Sequence, residues 1–85
     1  MSQVIKLKTN QDIAISSGGT LINATVLRLV NTGTAQWIDV YDSTNTTRVG
    51  RHIIVQNESL YLKKDPDQYI RSGSVVRASA VSVEA

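Results

Sequence analysis

Few side chains in this sequence are suited to chemistry. The chain of 85 residues contains no cysteine and a single histidine, His52, so one chain offers no thiolate and no multi-histidine metal site. A hydrolytic triad needs a base held against a nucleophile, and nothing near His52 in the sequence supports that role. We therefore interpret His52 as an ordinary residue on a strand surface and predict no catalytic residue.

Acidic and glycine-rich segments are the remaining candidates for a site. Asp39 and Asp42 lie three positions apart, but a chain this short has little room for the sugar cleft that glycosidase carboxylates flank. Asp65 and Asp67 surround the only proline and lack the glycine and further carboxylates of a calcium loop, which favours a self-capping turn. Residues 17–20 lack the lysine and the following helix of a phosphate loop, which favours a hairpin turn. We predict no metal, no cofactor and no enzymatic activity.

In the segments around these residues, apolar and polar side chains alternate with a period of two, which is typical of half-buried strands. Alternating segments cover residues 3–9, 12–15, 20–30, 36–42, 48–55, 60–63, 69–71 and 74–84, with Asn-, Asp-, Ser- and Gly-rich turns between them. No segment has convincing helical periodicity. The sequence therefore predicts an all-β protein: one small antiparallel β-sandwich over residues 1–85, immunoglobulin-like or jelly-roll-like, with about seven or eight short strands. Residues 1–9 are predicted to form an N-terminal arm or an edge strand.

Two segments suggest local features of this sandwich. Residues 20–30 are apolar on both faces, which predicts a strand in the middle of a sheet or one covered by a partner. Gly50 interrupts residues 48–55 and marks a bulge or a bend.

Aromatic residues are the most informative surface candidates. Ile38 and Val40 alternate with Trp37 and Tyr41, and Tyr61 lies between two leucines. If the aliphatic residues face the core, Trp37, Tyr41 and Tyr61 face outward, where such rings are enriched in interfaces. The alternative for Trp37 is a core position, and the sequence leaves both open.

Composition limits the classes of partner. The net charge is +2 and the basic residues are dispersed, which is typical of a solvated surface and predicts no nucleic-acid partner. No apolar run approaches the roughly 20 residues of a membrane helix, and no signal peptide precedes residue 3, so we expect synthesis in the cytoplasm and no membrane partner. A small domain without disulfides is often stabilised by oligomerisation or docking, and we expect a homo-oligomer.

Three segments resemble small bacteriophage virion accessory proteins. They are LVNTGTA at 29–35, IVQNESLYLKK at 54–64 and SVVRASAV at 74–81. Immunoglobulin-like domains share the Asn-Thr-Gly turn and the Glu-Ser-Leu strand. Glycine is common immediately before Glu-Ser-Leu; this chain has Asn57 there, and asparagine also permits a left-handed backbone. The resemblance extends from about residue 20 onward and is a pattern of strands and turns, so it carries over no functional residue.

The resemblance implies a structural role in a virion. It suggests a head decoration (cement) protein that binds the major capsid protein and stabilises the lattice, with the virion as its final location. The alternative is a carbohydrate- or protein-binding module of a tail or fibre. In the decoration role, residues 1–9 would serve as an arm exchanged with a neighbouring copy, and free strand edges could add to a neighbouring sheet.

Overall fold

The computed structural model describes residues 4–8, 11–73 and 75–84, and nine β-strands but no helix occur within these ranges. The strands are β1 (Val4–Leu7), β2 (Ile13–Ala14), β3 (Thr20–Leu21), β4 (Val26–Asn31), β5 (Gln36–Tyr41), β6 (Arg48–Ile54), β7 (Ser59–Lys63), β8 (Tyr69–Arg71) and β9 (Val76–Glu84). The predicted all-β sandwich is confirmed, with nine strands in place of seven or eight.

The strands form two antiparallel sheets. Sheet I has the order β1-β9-β4-β7, and β2 pairs with the same strand β9 as β1 does. Sheet II has the order β3-β8-β5-β6. Strand β4 thus lies inside its sheet, as its two apolar faces predict.

Strand pairing is nested around the β5–β6 hairpin. Strand β5 pairs with β6, β4 with β7, β3 with β8 and β2 with β9, so each pair encloses the one before it. Such a long hairpin rolled into two sheets is the connectivity of a jelly roll. Of the two sandwich types that the sequence allows, the topology therefore matches the jelly roll.

The core lies between the inner faces of the sheets. Sheet I contributes side chains from β4 and β9, sheet II contributes one isoleucine from each of β5, β6 and β8, and two isoleucines come from the connections. These residues are Ile15, Ile22, Leu27, Leu29, Ile38, Ile54, Ile70, Val76, Ala78 and Ala80. Isoleucine and valine, the β-branched residues that suit a pleated surface, make up six of these ten side chains.

A buried asparagine connects the two sheets. Asn31, at the end of β4, donates from Nδ2 to the carbonyl oxygens of Ile54 (3.0 Å) and Thr34 (2.8 Å), and its Oδ1 accepts from the Gly33 N–H (3.0 Å). Since Ile54 belongs to sheet II, this amide fixes the distance between the sheets while satisfying its own donors and acceptor.

The prediction of one continuous strand over residues 20–30 is wrong. Strand β3 belongs to sheet II and β4 to sheet I, and the chain crosses between the sheets at residues 22–25. A γ-turn in which the Ala24 N–H donates to the Ile22 carbonyl (2.8 Å) bends the backbone there. The buried ammonium of Lys64 also donates to that carbonyl (2.6 Å), so a distant loop holds the bend in place.

Two further predictions concern the edge strands: the N-terminal segment and the bulge near Gly50. Val4–Leu7 forms an edge strand on β9, whereas residues 1–3 and 9 of the predicted arm lie outside the described residues. The β5–β6 register shifts so that Val40 pairs with Gly50 and Tyr41 with Arg48, which places a bulge at Val49, next to the glycine that marks it in the sequence.

Candidate functional site

Central strand β5 presents three chemically distinct side chains on the outer side of sheet II. Ile38 points into the core, so the pleat turns Trp37, Asp39 and Tyr41 outward. We call the outward surface of sheet II face II. Because β5 lies between β8 and β6, each of these residues has a cross-strand neighbour on at least one side.

Strand register arranges face II in rows. Arg71 of β8 and Arg51 of β6 both lie opposite Asp39, which makes a charged row across three strands. Trp37 lies opposite Ile53 on one side of this row, and Tyr41 lies opposite Tyr69 on the other side. Directly opposed side chains on one face are within reach of each other, so face II has a charged row between a Trp37–Ile53 row and a Tyr41–Tyr69 row.

Asp39 and Arg51 form a bidentate ion pair. Arg51 Nε donates to Asp39 Oδ1 (2.7 Å) and Nη2 donates to Oδ2 (3.0 Å), while Asp39 is only 8% exposed. The hydrogen bond from Arg51 lowers the pKa of Asp39 against the opposing effect of burial, and the charges of Arg51, Arg48 and Arg71 add to the lowering. The carboxylate therefore stays ionised at neutral pH and holds the Arg51 guanidinium in one orientation.

Both arginines of the row stack on aromatic rings. The guanidinium carbon of Arg51 lies 4.7 Å from the centre of the Trp37 ring, and that of Arg71 lies 3.7 Å from the centre of the Tyr41 ring. These distances are within the range of cation–π attraction. Each ring thus contacts a guanidinium that Asp39 or Asn45 also holds by hydrogen bonds.

Arg71 is held by the loop between β5 and β6. Its Nε donates to Asn45 Oδ1 (3.1 Å) and its Nη2 donates to the Asn45 carbonyl (2.6 Å). Asn45 has a left-handed φ of 58° in a loop closed by Asp42, whose Oδ1 accepts from Thr46 N (3.0 Å) and Thr44 Oγ1 (2.9 Å). These hydrogen bonds, the one from the Thr46 N–H first, lower the pKa of Asp42 to about 2.

The turn between β2 and β3 supports the same asparagine. Asn45 Nδ2 donates to the Gly18 carbonyl (2.9 Å). Gly19 has a φ of 111°, and a Cβ added there would lie 2.5 Å from Asn45 Nδ2. Glycine is thus required at position 19 both for its backbone conformation and for the room that Asn45 needs.

A shallow depression of about 260 Å³ lies on face II beside the charged row. Its lining combines the β5 side chains, the two arginines and residues from two loops: Ser17, Gln36, Trp37, Asp39, Tyr41, Arg51, Arg71, Ser72 and Gly73. Ser72 is 7% exposed, and its Oγ has no hydrogen-bond partner in the part of the chain that the structure describes. A buried hydroxyl without a partner is uncommon in folded proteins.

The three aromatic residues singled out in the sequence do not share one surface. Trp37 is 52% exposed, which excludes the core alternative, and it lies on face II with the half-buried Tyr41. Tyr61 is 42% exposed and lies opposite Arg28 on the outer side of sheet I. The structure therefore joins Trp37 with Tyr41 and places Tyr61 on the opposite side of the sandwich.

Sequence reasoning missed the polar members of the site. Asp39 could have been found, because period-two alternation places it on the same face as Trp37 and Tyr41. Arg51 and Arg71 belong to other strands, and only the register aligns them with Asp39. Ser72 follows the end of β8 and carries no pattern that distinguishes it from the other serines.

The other chemistry-bearing candidates remain scattered. His52 is exposed on the edge strand β6, and Asp65 and Asp67 lie in the β7–β8 loop, where the Gln68 N–H donates to the Asp65 carbonyl (3.1 Å). Over residues 4–8, 11–73 and 75–84, no group of three or more His, Asp or Glu residues is placed to hold a metal ion.

Comparisons with known proteins identify no family for this chain. Searches against protein-family models, curated proteins and solved structures found no match for this chain. Among the described residues, no helix has the length and apolar character needed to cross a membrane.

Proposed function

We propose that this domain is a non-enzymatic structural virion protein: a decoration (cement) protein that binds the major capsid protein and stabilises the phage head. The observation that carries the proposal is an uneven distribution of exposed apolar side chains. Of the seven large ones among the described residues, five lie on face II or directly at the end of β6, and two lie on sheet I. The first group is Leu21, Trp37, Val49, Ile53 and Val55, and the second is Leu7 and Tyr61.

The edge strand β6 is the centre of the proposed docking surface. Val49, Ile53 and Val55 are all exposed, and Trp37 lies opposite Ile53 on the next strand. Exposed apolar side chains that are contiguous on one face mark contact surfaces in soluble proteins. Arg48 and Arg51 lie on the same strand, and arginine is common among the residues that dominate binding energy.

The proposed contact uses side chains and not strand addition. Edge strands that natural proteins protect from pairing carry bulges and charged residues. Strand β6 has both, in the bulge at Val49 and in the two arginines Arg48 and Arg51. A capsid subunit would therefore pack against face II, while several copies around one lattice junction would supply the homo-oligomer that the small core favours.

The test begins with purified phage particles from the genome that encodes this chain. We expect mass spectrometry to find the protein in those particles, and particles lacking it to lose their DNA at a lower temperature. Added wild-type protein should restore heat resistance, and Ile53→Lys should not, because a lysine would have to be desolvated in the contact. Tyr61→Lys, on the other side of the sandwich, is the matched control and should restore it. Particles that never contain the protein would contradict the proposal.

A second candidate is a carbohydrate- or protein-binding module of a tail or fibre. It is favoured by one observation, the half-exposed Trp37 beside the depression on face II. Aromatic rings at such positions combine a large apolar face with a polar edge. Finding the protein in tail or fibre fractions and not in heads would favour this candidate over the decoration role.

A further inference from the structure

Strand β1 is held by its backbone and not by the core. It pairs with the last residues of β9, with Leu7 opposite Val81 and Ile5 opposite Val83. Its described side chains are Ile5, Lys6 and Leu7, and none of them packs in the core, while Leu7 is 66% exposed. Displacing β1 would therefore break a ladder of main-chain hydrogen bonds, but these three side chains would leave no cavity in the core.

The end of β9 that receives β1 has no second neighbouring strand in the described part of the chain. Strand β4 pairs with β9 only as far as Ala80, so residues 81–84 pair with β1 alone. Together they form a two-stranded ribbon at the end of sheet I, and a ribbon of two strands is only marginally stable by itself. Strands of a second copy placed beside it would stabilise it.

This end of β9 needs a strand beside it. The Ala80 carbonyl accepts from the Lys8 N–H (2.9 Å), and Val81, which lies opposite Leu7, is 2% exposed. Without β1, the carbonyl would lose its partner and Val81 would lose a neighbour on the adjacent strand. The edge is therefore a site for an extended segment with the sequence of β1, whichever chain supplies that segment.

The connection from β1 to β2 is longer than the part of β9 that it passes. Lys8 bonds to Ala80 of β9, and Ile13 lies opposite Ala78. One residue of β9 separates these two partners, whereas four residues, 9–12, separate Lys8 from Ile13. At about 3.3 Å per residue, the longer path spans up to roughly 16 Å, against roughly 7 Å along β9. This surplus length lets β1 reach a second chain.

Residues after the connection stay with their own chain. Ile13 packs against the core, and Ile15 lies within it at 1% exposure. Asp12 also pairs with Arg77 of β9. The exchangeable segment therefore ends before Asp12, and its departure leaves β2 in place.

We propose that β1 is exchanged between copies of this chain. The β1 strand of one copy pairs with residues 80–84 of another copy, in the register that it has within one chain. Because the pairing is the same in both forms, they differ mainly in the entropy of association. A short connection gives an effective concentration in the millimolar range, so exchange competes at about 1 mM chain or where copies are crowded. The inference concerns the isolated chain and does not depend on the virion role.

Introduced cysteines test the exchange directly, because the chain contains no cysteine of its own. Full chains carrying either Leu7→Cys or Val81→Cys are mixed at about 1 mM and oxidised, and mass spectrometry of the digest measures the disulfide between positions 7 and 81. Since each chain carries only one of the two cysteines, this bond requires β1 of one chain to lie on β9 of another. We expect the bond to form and its yield to fall on dilution by mass action.

Leu7→Cys mixed with Ala78→Cys is the matched control. Ala78 is as buried as Val81 and belongs to the same strand, but it pairs with β2 and β4 and not with β1. Random oxidation would produce both bonds alike, whereas exchange produces the 7–81 bond at several times the yield of the 7–78 bond. Equal yields, or no 7–81 bond, would overturn the proposal.

Shortening the connection gives a second test. Removal of residues 9–11 leaves Asp12 alone between Lys8 and Ile13, which matches the spacing on β9, so β1 and β2 would join into one unstrained strand. We expect the shortened chain to give no more 7–81 bond than the control, and sedimentation to show monomers where the wild type forms oligomers. A full yield in the shortened chain would overturn exchange through this connection.

Sedimentation of the wild type distinguishes the exchange from other occupants of the edge. Oligomers without a 7–81 bond would assign the contact between copies to another surface, and monomers at every concentration would leave β1 on its own chain. Either result overturns the exchange. Heat resistance of particles is a separate readout, so failure here is distinguishable from failure of the decoration role.

Discussion

The two outer surfaces of the sandwich differ in how their polar side chains are held. On face II, both arginines of the charged row touch an aromatic ring, and each also donates hydrogen bonds, Arg51 to Asp39 and Arg71 to Asn45. The outer surface of sheet I, here face I, carries Arg28, which donates to Ser59 (3.3 Å), and Arg77, which pairs with Asp12 where both side chains are about half exposed. Face I thus has single solvated contacts, whereas face II has two clusters of several contacts each, one around Arg51 and one around Arg71.

This difference arises from the strand that occupies the middle of each sheet. Strand β5 carries an acid between two aromatic residues, so charges from both neighbouring strands converge on it. Strand β4 carries Val26 and Val30 around Arg28 on its outward face, and it has no acid to attract the neighbouring cations. The same jelly roll therefore gives one organised surface and one ordinary surface, and only the organised one resembles a binding site.

Removing the amide between the sheets should disturb both faces together. Asn31→Ala leaves the Ile54 carbonyl and the Gly33 N–H without their side-chain partner in a buried region, so we expect a loss of about 2–4 kcal/mol in the free energy of unfolding. Urea denaturation measures it. Asn23→Ala is the matched control, because Asn23 is exposed and should change stability little. A small loss in Asn31→Ala would show that this amide does not tie the sheets.

The ion pairs of the two faces provide the direct comparison. Asp39→Ala should cost about 1–2 kcal/mol, because charged hydrogen bonds from a buried acid are lost while the half-exposed Arg51 is resolvated. Asp12→Ala removes the exposed pair of face I and should leave the denaturation midpoint unchanged within error. Fluorescence of Trp37, the only tryptophan, should change in the first variant alone. Equal effects of the two substitutions would remove the distinction between the faces.

The glycine turn under face II should be sensitive at one position only. Gly19→Ala forces an L side chain into a φ of 111° and against Asn45, so we expect a loss of about 1–2 kcal/mol and a displaced Arg71. Gly18→Ala is the matched control, since a Cβ there meets no atom within 4 Å. Thermal unfolding of both variants checks the expectation. A destabilised Gly18→Ala would mean that the turn as a whole, and not Asn45, is the sensitive element.

Lowering the pH should weaken the β5–β6 loop, because the Asp42 carboxylate that closes it becomes protonated. Its pKa is about 2 in the fold against an ordinary value of 3.8, so its stabilising effect is complete above about pH 5 and is lost as the pH falls through 3.8 toward 2. Unfolding midpoints measured across this range should fall less steeply in Asp42→Asn than in the wild type. Asp67→Asn, which removes an exposed acid in another turn, is the control for the loss of one negative charge. An unchanged slope in Asp42→Asn would exclude this carboxylate as the acid-sensitive group.

The sequence predicts those parts of the fold that depend on neighbours along the chain. Period-two alternation identifies β5, β7 and the inward position of Ile38, and Asn57 adopts the left-handed φ of 63° that its place in a turn suggests. Residues 20–30 mislead because the γ-turn at Ile22 is fixed by Lys64, a residue far along the chain. The spacing of apolar residues carries no information about a hydrogen bond between residues so far apart in the chain.

The candidate site is predictable only in part for the same reason. Trp37 and Tyr41 follow from alternation within one strand, whereas the row of Arg71, Asp39 and Arg51 depends on the registers of two strand pairs. Register depends on turn geometry and on which face is buried throughout the sheet. Ser72 is notable only because its hydroxyl is buried without a described partner, and that is a property of packing.

The nested strand pairing has a consequence for the order of folding. The β5–β6 hairpin closes the shortest loop, and each enclosing pair must bring together residues farther apart in sequence, so contacts form more slowly from the hairpin outward. Asp39 and Arg51 both belong to that first hairpin, so their ion pair can form while the rest of the chain is still unfolded. Arg71 joins only when β8 docks on β5. Face II is thus assembled in two steps: the Asp39–Arg51 pair forms within the hairpin, and Arg71 is added when the two sheets close into the sandwich.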